Sequence, residues 1–281
     1  MTIKTTAVVG SGTMGLGIVQ VFAQSGLPCV LFDVNSEALA KAKTSIDKNL
    51  QFLVDKGKMT AEEKQVVLGR LSFSTDFTDV KADLILEAIV EKLEAKRDLF
   101  QKLAAQNAET TVFATNTSTI PVTQIAATIP HPERIVGIHF FNPAHIMKLV
   151  EIISGRATDK TVAESCYELV KQLGKTPIHA ADAPGFIVNR VARHYYVESL
   201  KIAEEQVCSI EDLDALMEAS GFKMGPFKLM DLIGVDVNFS VTQSIYNLFH
   251  QDAKFRPSRM QQQLVDAGLH GRKTGRGFYE Y

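Results

Sequence analysis

The chain reads as an α/β domain built on a doubly wound sheet with a helical-hairpin insertion, followed by a smaller all-α domain. Three observations predict this. A short apolar run, Thr6-Ala7-Val8-Val9, passes directly into Gly10-Ser11-Gly12-Thr13-Met14-Gly15 and then into a helical pattern through Ile18, Val19 and Phe22. Short apolar runs and helix-period segments then alternate as far as about residue 180. Beyond Asp182-Ala183-Pro184-Gly185 the pattern is helical only, which divides the chain into residues 1–183 and 184–281.

The elements follow in order. Cys29-Val30-Leu31-Phe32-Asp33 is a second strand and completes a βαβ unit. Helical segments over 36–56 and 60–70 form a large excursion, with Ser36 and Thr60 as the expected caps and Thr60 and Glu63 spaced as a capping box. Strands resume at Leu71–Ser74, Leu84–Ile89, Val112–Thr115 and Ile135–Phe140, with another apolar run at Leu149–Ile153 and a last strand at Pro177–Ala180. Helical segments near 91–106, 121–128 and 159–173 separate them. In the second domain Phe186–Glu205 has helical spacing, and Ser209 caps a helix containing Leu213 and Leu216. Further helices are expected over 226–233, 236–249 and 257–267.

Composition excludes several classes. A net charge of −2 over 281 residues offers no global positive field for nucleic acid or an anionic membrane, so no partner of either kind is expected. No apolar stretch approaches the roughly 20 residues a membrane span needs. The glycine-rich turn begins at Gly10, which leaves no room for a cleaved leader before it, and a cytoplasmic location is expected. Cys29, Cys166 and Cys208 are odd in number, widely spaced and set in apolar or helical patterns, so they are expected to be buried, inert thiols. Neither a disulfide framework nor a metal site is expected.

A GxGxxG triplet alone is weak evidence, because glycines mark many turns. Here it follows a strand, opens a helix and is followed at the end of the next strand by Asp33, the arrangement a dinucleotide site of the Rossmann type needs. Gly10 permits the tight turn, Gly12 lets backbone N–H groups reach a pyrophosphate, and Gly15 allows helix and strand to pack closely. Asp33 suits both hydroxyls of an adenosine ribose and repels a 2′-phosphate, which predicts NAD over NADP. The bland alternative is that Asp33 only caps the helix at 36.

Asn116-Thr117-Ser118 lies just past one strand, and His139 and Asn142 lie at the end of another, the edge where open α/β sheets bind ligands. Glu151, in the following apolar run, is placed to meet His139; a carboxylate on one ring nitrogen raises the basicity of the other, which removing a proton from an alcohol requires. Each residue also has a structural reading. Ser118 suits a helix cap, His139 a hydrogen-bonded core histidine, Asn142 a turn and Glu151 a salt bridge.

Together with Glu87-Ala-Ile-Val-Glu91, Met147-Lys-Leu-Val-Glu151, Pro184-Gly-Phe-Ile-Val-Asn-Arg190, Met224-Gly-Pro226, Asp231-Leu-Ile-Gly234 and Gly271-Arg-Lys-Thr-Gly-Arg-Gly-Phe-Tyr279, these motifs span nearly the whole length. With them the chain resembles the short-chain L-3-hydroxyacyl-CoA dehydrogenases, the group that includes 3-hydroxybutyryl-CoA dehydrogenases. The resemblance implies NAD-dependent interconversion of 3-hydroxyacyl-CoA and 3-ketoacyl-CoA, on a Rossmann domain joined to a helical domain through which the protein forms a homodimer. It implies His139 as general base, Glu151 as its orienting carboxylate, Ser118 on the substrate oxygen and Asn189 near the acyl group. The cofactor contacts it implies are Gly10, Ser11, Gly12, Thr13, Met14, Gly15, Asp33, Glu91, Lys96, Ser118, Asn142 and Lys273.

In these relatives the hairpin after Asp33 leans over coenzyme A. Here it carries Lys41, Lys43, Lys48, Lys56 and Lys58, of which Lys56 and Lys58 are the candidates for its phosphates, unless they are only solvated charge. Two stretches depart from the pattern. Ala144-His145-Ile146 stands where many relatives have proline-valine, and Arg193, His194, Tyr195 and Tyr196 replace an aliphatic helix face. The second departure resembles the subgroup acting on 3-hydroxyadipyl-CoA in phenylacetate breakdown. Arg193, four residues past Asn189, suits either a distal substrate carboxylate or a surface salt bridge. Two other classes fit less well: a dehydrogenase of free hydroxy acids or sugar acids on the same plan, and a dinucleotide sensor without catalysis.

Overall fold

A short, mostly apolar run suits a strand buried on both faces of a parallel sheet. β1 (Thr6–Val9), β4 (Leu84–Glu87) and β5 (Val112–Thr115) are such strands, each buried throughout. They join β2 (Cys29–Phe32), β3 (Leu71–Ser74), β6 (Ile135–Phe140), β7 (Leu149–Ser154) and β8 (Thr176–Ala181) in one eight-stranded sheet of order β3-β2-β1-β4-β5-β6-β7-β8. Every neighbouring pair is parallel except β6 and β7. The strand order reverses between β1 and β4, which opens a crevice at their carboxyl ends. This computed structural model describes residues 2–281, in two compact units of which the first ends at Ala183 and the second begins at Pro184.

Six helices complete the first unit: α1 (Thr13–Gln24), α2 (Ser36–Asp55), α3 (Ala61–Gly69), α4 (Leu93–Gln106), α5 (Val122–Ala126) and α6 (Lys160–Gln172). Ile18, Val19 and Phe22 of α1 pack with Leu31, Leu86 and Phe140 of the sheet, and α2 adds Leu39, Ala42, Ile46 and Leu50 at helical spacing. Thr60 and Glu63 make the expected reciprocal capping box at α3. Ser36, by contrast, is not the cap of α2. The Asn35 side chain accepts from the N–H groups of Glu37 and Ala38, and Ser36 is the first helical residue. β4 ends at Glu87, two residues short of the expected strand, where the Glu87 carboxylate turns back to accept the Ile89 N–H at 2.7 Å.

The second unit is helical: α7 (Val188–Glu204), α8 (Ile210–Ala219), α9 (Pro226–Ile233), α10 (Val235–Leu248) and α11 (Arg259–Asp266). Tyr196, Leu200, Leu213, Phe227 and Met230 form its core. α7 starts after Phe186, whose φ of 48° is incompatible with a helical turn. The last residues are pinned by buried Asp231, which accepts from the N–H groups of Phe278 and Tyr279 and the Tyr281 hydroxyl. A side chain at Gly271 or Gly277 would overlap Asp231, which accounts for two glycines of the C-terminal motif. Among the described residues no helix is long and apolar enough to cross a membrane.

Candidate active site

The dinucleotide turn lies at the switch point between β1 and β4. Gly10 has φ 104°, and a Cβ there would stand 2.6 Å from the Ala88 carbonyl oxygen at the end of β4. A Cβ on Gly15 would overlap the Gly10 carbonyl, so only glycine lets α1 approach the turn so closely. Gly12 caps α1 with no side chain on the first-turn N–H groups, and a Cβ there would meet nothing within 4 Å. Uncapped donors facing open space at a helix N-terminus fit a pyrophosphate.

Asp33 follows β2, and one of its oxygens accepts the N–H and hydroxyl of Ser11 at 2.7 and 2.8 Å. The other accepts the Asn35 N–H at 3.0 Å. Partial burial opposes ionisation, but the donors of Ser11 and Asn35 outweigh it and hold the carboxyl below its ordinary range. The residue is thus a fixed anion with acceptor capacity to spare, as two ribose hydroxyls need. It does not cap α2; Asn35 does.

β6 and β7 run antiparallel in a register that sets His139 directly opposite Glu151. His139 Nδ1 lies 2.7 Å from Glu151 Oε2, with 4% and 0% of the two side chains exposed. With Glu151 ionised and the imidazole neutral, the carboxylate only accepts, Nδ1 carries the hydrogen and Nε2 keeps its lone pair. Ser118 Oγ stands 3.2 Å from that Nε2 and donates to it in this tautomer. A serine hydroxyl, an imidazole and a buried carboxylate stand in series, with the Phe141 ring tilted against the imidazole at 4.5 Å between centroids.

Ser118 is held from behind. Glu91 Oε1 accepts the Thr117 hydroxyl at 2.6 Å and the Ser118 N–H at 3.0 Å, while Oε2 pairs with Lys96 at 3.1 Å. Burial opposes ionisation of Glu91, but Lys96 and the Thr117 hydroxyl outweigh it and hold its carboxyl below the ordinary range. The Lys96 ammonium, 1% exposed, also meets buried Glu87 at 2.6 Å, and Glu87 accepts the Thr115 hydroxyl. Asn116 Oδ1 accepts the Phe140 N–H at 2.8 Å and ties the end of β5 to the end of β6. Glu87, Asn116 and Thr117 stood inside motifs noted in the sequence, yet only the pairing of strand ends reveals their part.

Of the other expected residues, Asn142 is exposed just past β6. Lys56 and Lys58 are exposed at the tip of the α2–α3 hairpin, with Lys56 5.6 Å over the Phe52 ring. Asn189 and Lys273 belong to the second unit. Asn189 is half-buried in the first turn of α7, and Lys273 pairs with Asp236 at 2.6 Å. Arg193 forms no surface salt bridge. It is 3% exposed and donates to the Asn189 and Asn238 carbonyls and the Thr242 hydroxyl, because its side of α7 is turned onto α10. Burial brings its guanidinium down to about 10 and pushes the Cys29 and Cys166 thiols up to about 12. Cys208 is half-buried rather than buried. Among the described residues no group of three or more His, Cys, Asp or Glu is placed to hold a metal ion.

A doubly wound sheet with this turn and a fixed acid after β2 has the form of a Rossmann-type dinucleotide-binding domain. Residues 5–183 match the family model described as 3-hydroxyacyl-CoA dehydrogenase, NAD binding domain, and residues 185–281 match that of the family's C-terminal domain. The chain is 49% identical over 281 residues to a 3-hydroxyadipyl-CoA dehydrogenase of Escherichia coli, with 99% of this chain and 59% of that protein covered. It is 41% identical to a 3-hydroxybutyryl-CoA dehydrogenase of Clostridioides difficile, with 98% of each covered. The crystal structure of an (S)-3-hydroxybutyryl-CoA dehydrogenase from Ralstonia eutropha superposes with a TM-score of 0.96 at 37% identity, over 100% of this chain and 99% of that one. The chain belongs to the 3-hydroxyacyl-CoA dehydrogenase family.

Proposed function

We propose that the protein interconverts (S)-3-hydroxyacyl-CoA and 3-ketoacyl-CoA, with His139 as the group that takes and returns the hydroxyl proton. The observation that carries this reading is the line from Ser118 Oγ through His139 to Glu151, with 3.2 Å and 2.7 Å between partners. NAD, when bound, supplies the acceptor for the C3 hydride. Ser118 fixes the substrate oxygen beside Nε2, which takes the hydroxyl proton as the C3–O bond becomes a carbonyl. Glu151 holds the Nδ1–H and balances the imidazolium that results. In reduction the imidazolium returns the proton to the same oxygen. A base so positioned contributes about 10²–10⁴-fold.

The cofactor contacts we assign in the first unit are the turn from Gly10 to Gly15, Asp33, Ser118 and Asn142. Glu91 acts by fixing Ser118, and Lys96 acts through Glu91. Asn189 and Lys273 are assigned to the acyl group and the cofactor by the family resemblance, and Lys56 and Lys58 to coenzyme A.

Short-chain thioesters such as 3-hydroxybutyryl-CoA are the substrates we propose first. A second reading, 3-hydroxyadipyl-CoA, is favoured by the function named for the Escherichia coli relative. We further propose a cytoplasmic homodimer joined through the second unit, where Val191, Leu232 and Val237 are 67%, 49% and 46% exposed. Purified protein with NADH and a panel of 3-ketoacyl-CoA thioesters tests the function. NADH oxidation by acetoacetyl-CoA and by the adipyl homologue ranks the two readings. Turnover of free keto acids but not thioesters contradicts both, and NADH binding without any turnover makes the protein a sensor.

A further inference from the structure

The pairing of His139 with Glu151 depends on a register that the hairpin alone does not secure. A sheet side chain changes face with every residue, so a slip of one position in β7 would carry Glu151 to the opposite face from His139. Two-residue turns fix register; the connection over 141–148 is far longer. Its own backbone supplies one turn, in which the Pro143 carbonyl accepts from Ile146 and Met147 at 3.0 and 2.9 Å. Buried Ala144 packs against Gly17 of α1, where an added Cβ would stand 3.1 Å from its own.

A further restraint comes from outside the hairpin, beside the six-pair β7–β8 ladder. Lys175, between α6 and β8, donates from Nζ to the Ala144 carbonyl at 2.7 Å and the Met147 carbonyl at 2.8 Å. The next residue, Thr176, donates its N–H to the Lys148 carbonyl at 2.8 Å and opens the β7–β8 ladder. The lysine thus continues that ladder along the connection with a side chain. Both acceptors are uncharged, and burial lowers the pKa of the ammonium. An amine held among carbonyls in this way sets position instead of neutralising a charge. Beside it His145 Nδ1 is buried without a hydrogen bond, and burial and then Lys175 lower the pKa of that imidazole.

We propose that Lys175 is a positioning residue for catalysis: by holding the Ala144 and Met147 carbonyls it keeps β7 in the register that sets Glu151 on His139. The proposal rests on the reading of that pair as the reacting dyad. The test compares Lys175→Met and Lys175→Arg in the wild-type and Glu151→Gln backgrounds, by acetoacetyl-CoA reduction with NADH. Lys175→Met is expected to lower kcat by about ten- to a hundredfold, as small misplacements of reacting groups do. The KM for NADH should change by less than about twofold. Lys175→Arg, which keeps several donors, should recover most of the loss. In the Glu151→Gln background Lys175→Met should cost less than about twofold more, because the pair it positions is already broken.

Equal losses in both backgrounds would make Lys175 merely structural and overturn the proposal. So would unchanged kcat in a protein where Glu151→Gln alone is slow. A Glu151→Gln enzyme of normal kcat would instead overturn the dyad. If Lys175→Met does not fold, Lys175→Gln, which keeps one donor group, is carried through the same two backgrounds. Lys171→Met, at an exposed lysine of α6 paired with Glu168, is the control and should leave kcat unchanged.

Discussion

Replacing Glu151 with glutamine keeps the shape of the side chain and removes its charge. The bond it makes to His139 Nδ1 is 2.7 Å long and closed to solvent, with 0% of the Glu151 side chain exposed. A charge-assisted hydrogen bond of this kind contributes about 1.5–3 kcal/mol. If all of that is felt as His139 becomes an imidazolium, kcat falls by roughly 10- to 150-fold. A second effect adds to it, because the amide can present its N–H to Nδ1 and turn the imidazole to the tautomer whose Nε2 already carries a hydrogen. Loss of the proper tautomer in a related acid–imidazole pair costs about 10⁴-fold, so a fall of roughly 10²–10⁴-fold is expected here. The assay is steady-state reduction of acetoacetyl-CoA followed by NADH absorbance, with NADH affinity measured separately by fluorescence. NADH binding should hardly change, since Glu151 lies behind the imidazole. A variant within about threefold of wild-type kcat would refute the argument that the carboxylate tunes the base.

Three other outcomes follow from the first unit. Asp33→Asn removes the fixed anion after β2 and should reduce the preference for NAD over NADP in kcat/KM by about tenfold or more; an unchanged ratio would detach Asp33 from the ribose. Gly15→Ala sets a methyl group on the Gly10 carbonyl. It should lower Tm and abolish NADH binding, and normal affinity in calorimetry would contradict the packing described. For Glu91 the folded carboxyl sits below its ordinary range, so its contribution to stability is complete above that range and is lost as pH falls through the lower, folded value. The difference in urea midpoint between wild type and Glu91→Gln should therefore shrink as pH is lowered through that window, and a constant difference would contradict it.

Much of this architecture was legible in the residues. Thr6–Val9, Leu71–Ser74, Val112–Thr115 and Ile135–Phe140 are strands with the expected ends; Gly10 closes the first and Asn116 the third, each a residue that favours a turn over a strand. The opposition of His139 and Glu151 was expected from two neighbouring apolar runs, but their antiparallel direction was not, since periodicity carries no direction. Helix starts were less secure. Asn35 and Ser36 are both good caps, and the choice falls to Asn35 because its side chain reaches two N–H groups at once.

Long cations were the hardest to read. A lysine in sequence looks solvated, yet Lys96 lies within the fold between two glutamates and Lys175 spans two carbonyls. For Arg193 the spacing from Asn189 was sound, but helical spacing alone does not say which neighbour that face meets. It meets α10, through the Asn238 carbonyl and Thr242 hydroxyl.

The account depends on His139 offering an unprotonated Nε2 towards Ser118. Nitrogen NMR of the histidine-labelled protein, with the His139→Gln variant to assign the signal, reads this directly. A neutral ring with hydrogen on Nδ1 and a bare Nε2 is the predicted result. The opposite tautomer at neutral pH would contradict the account.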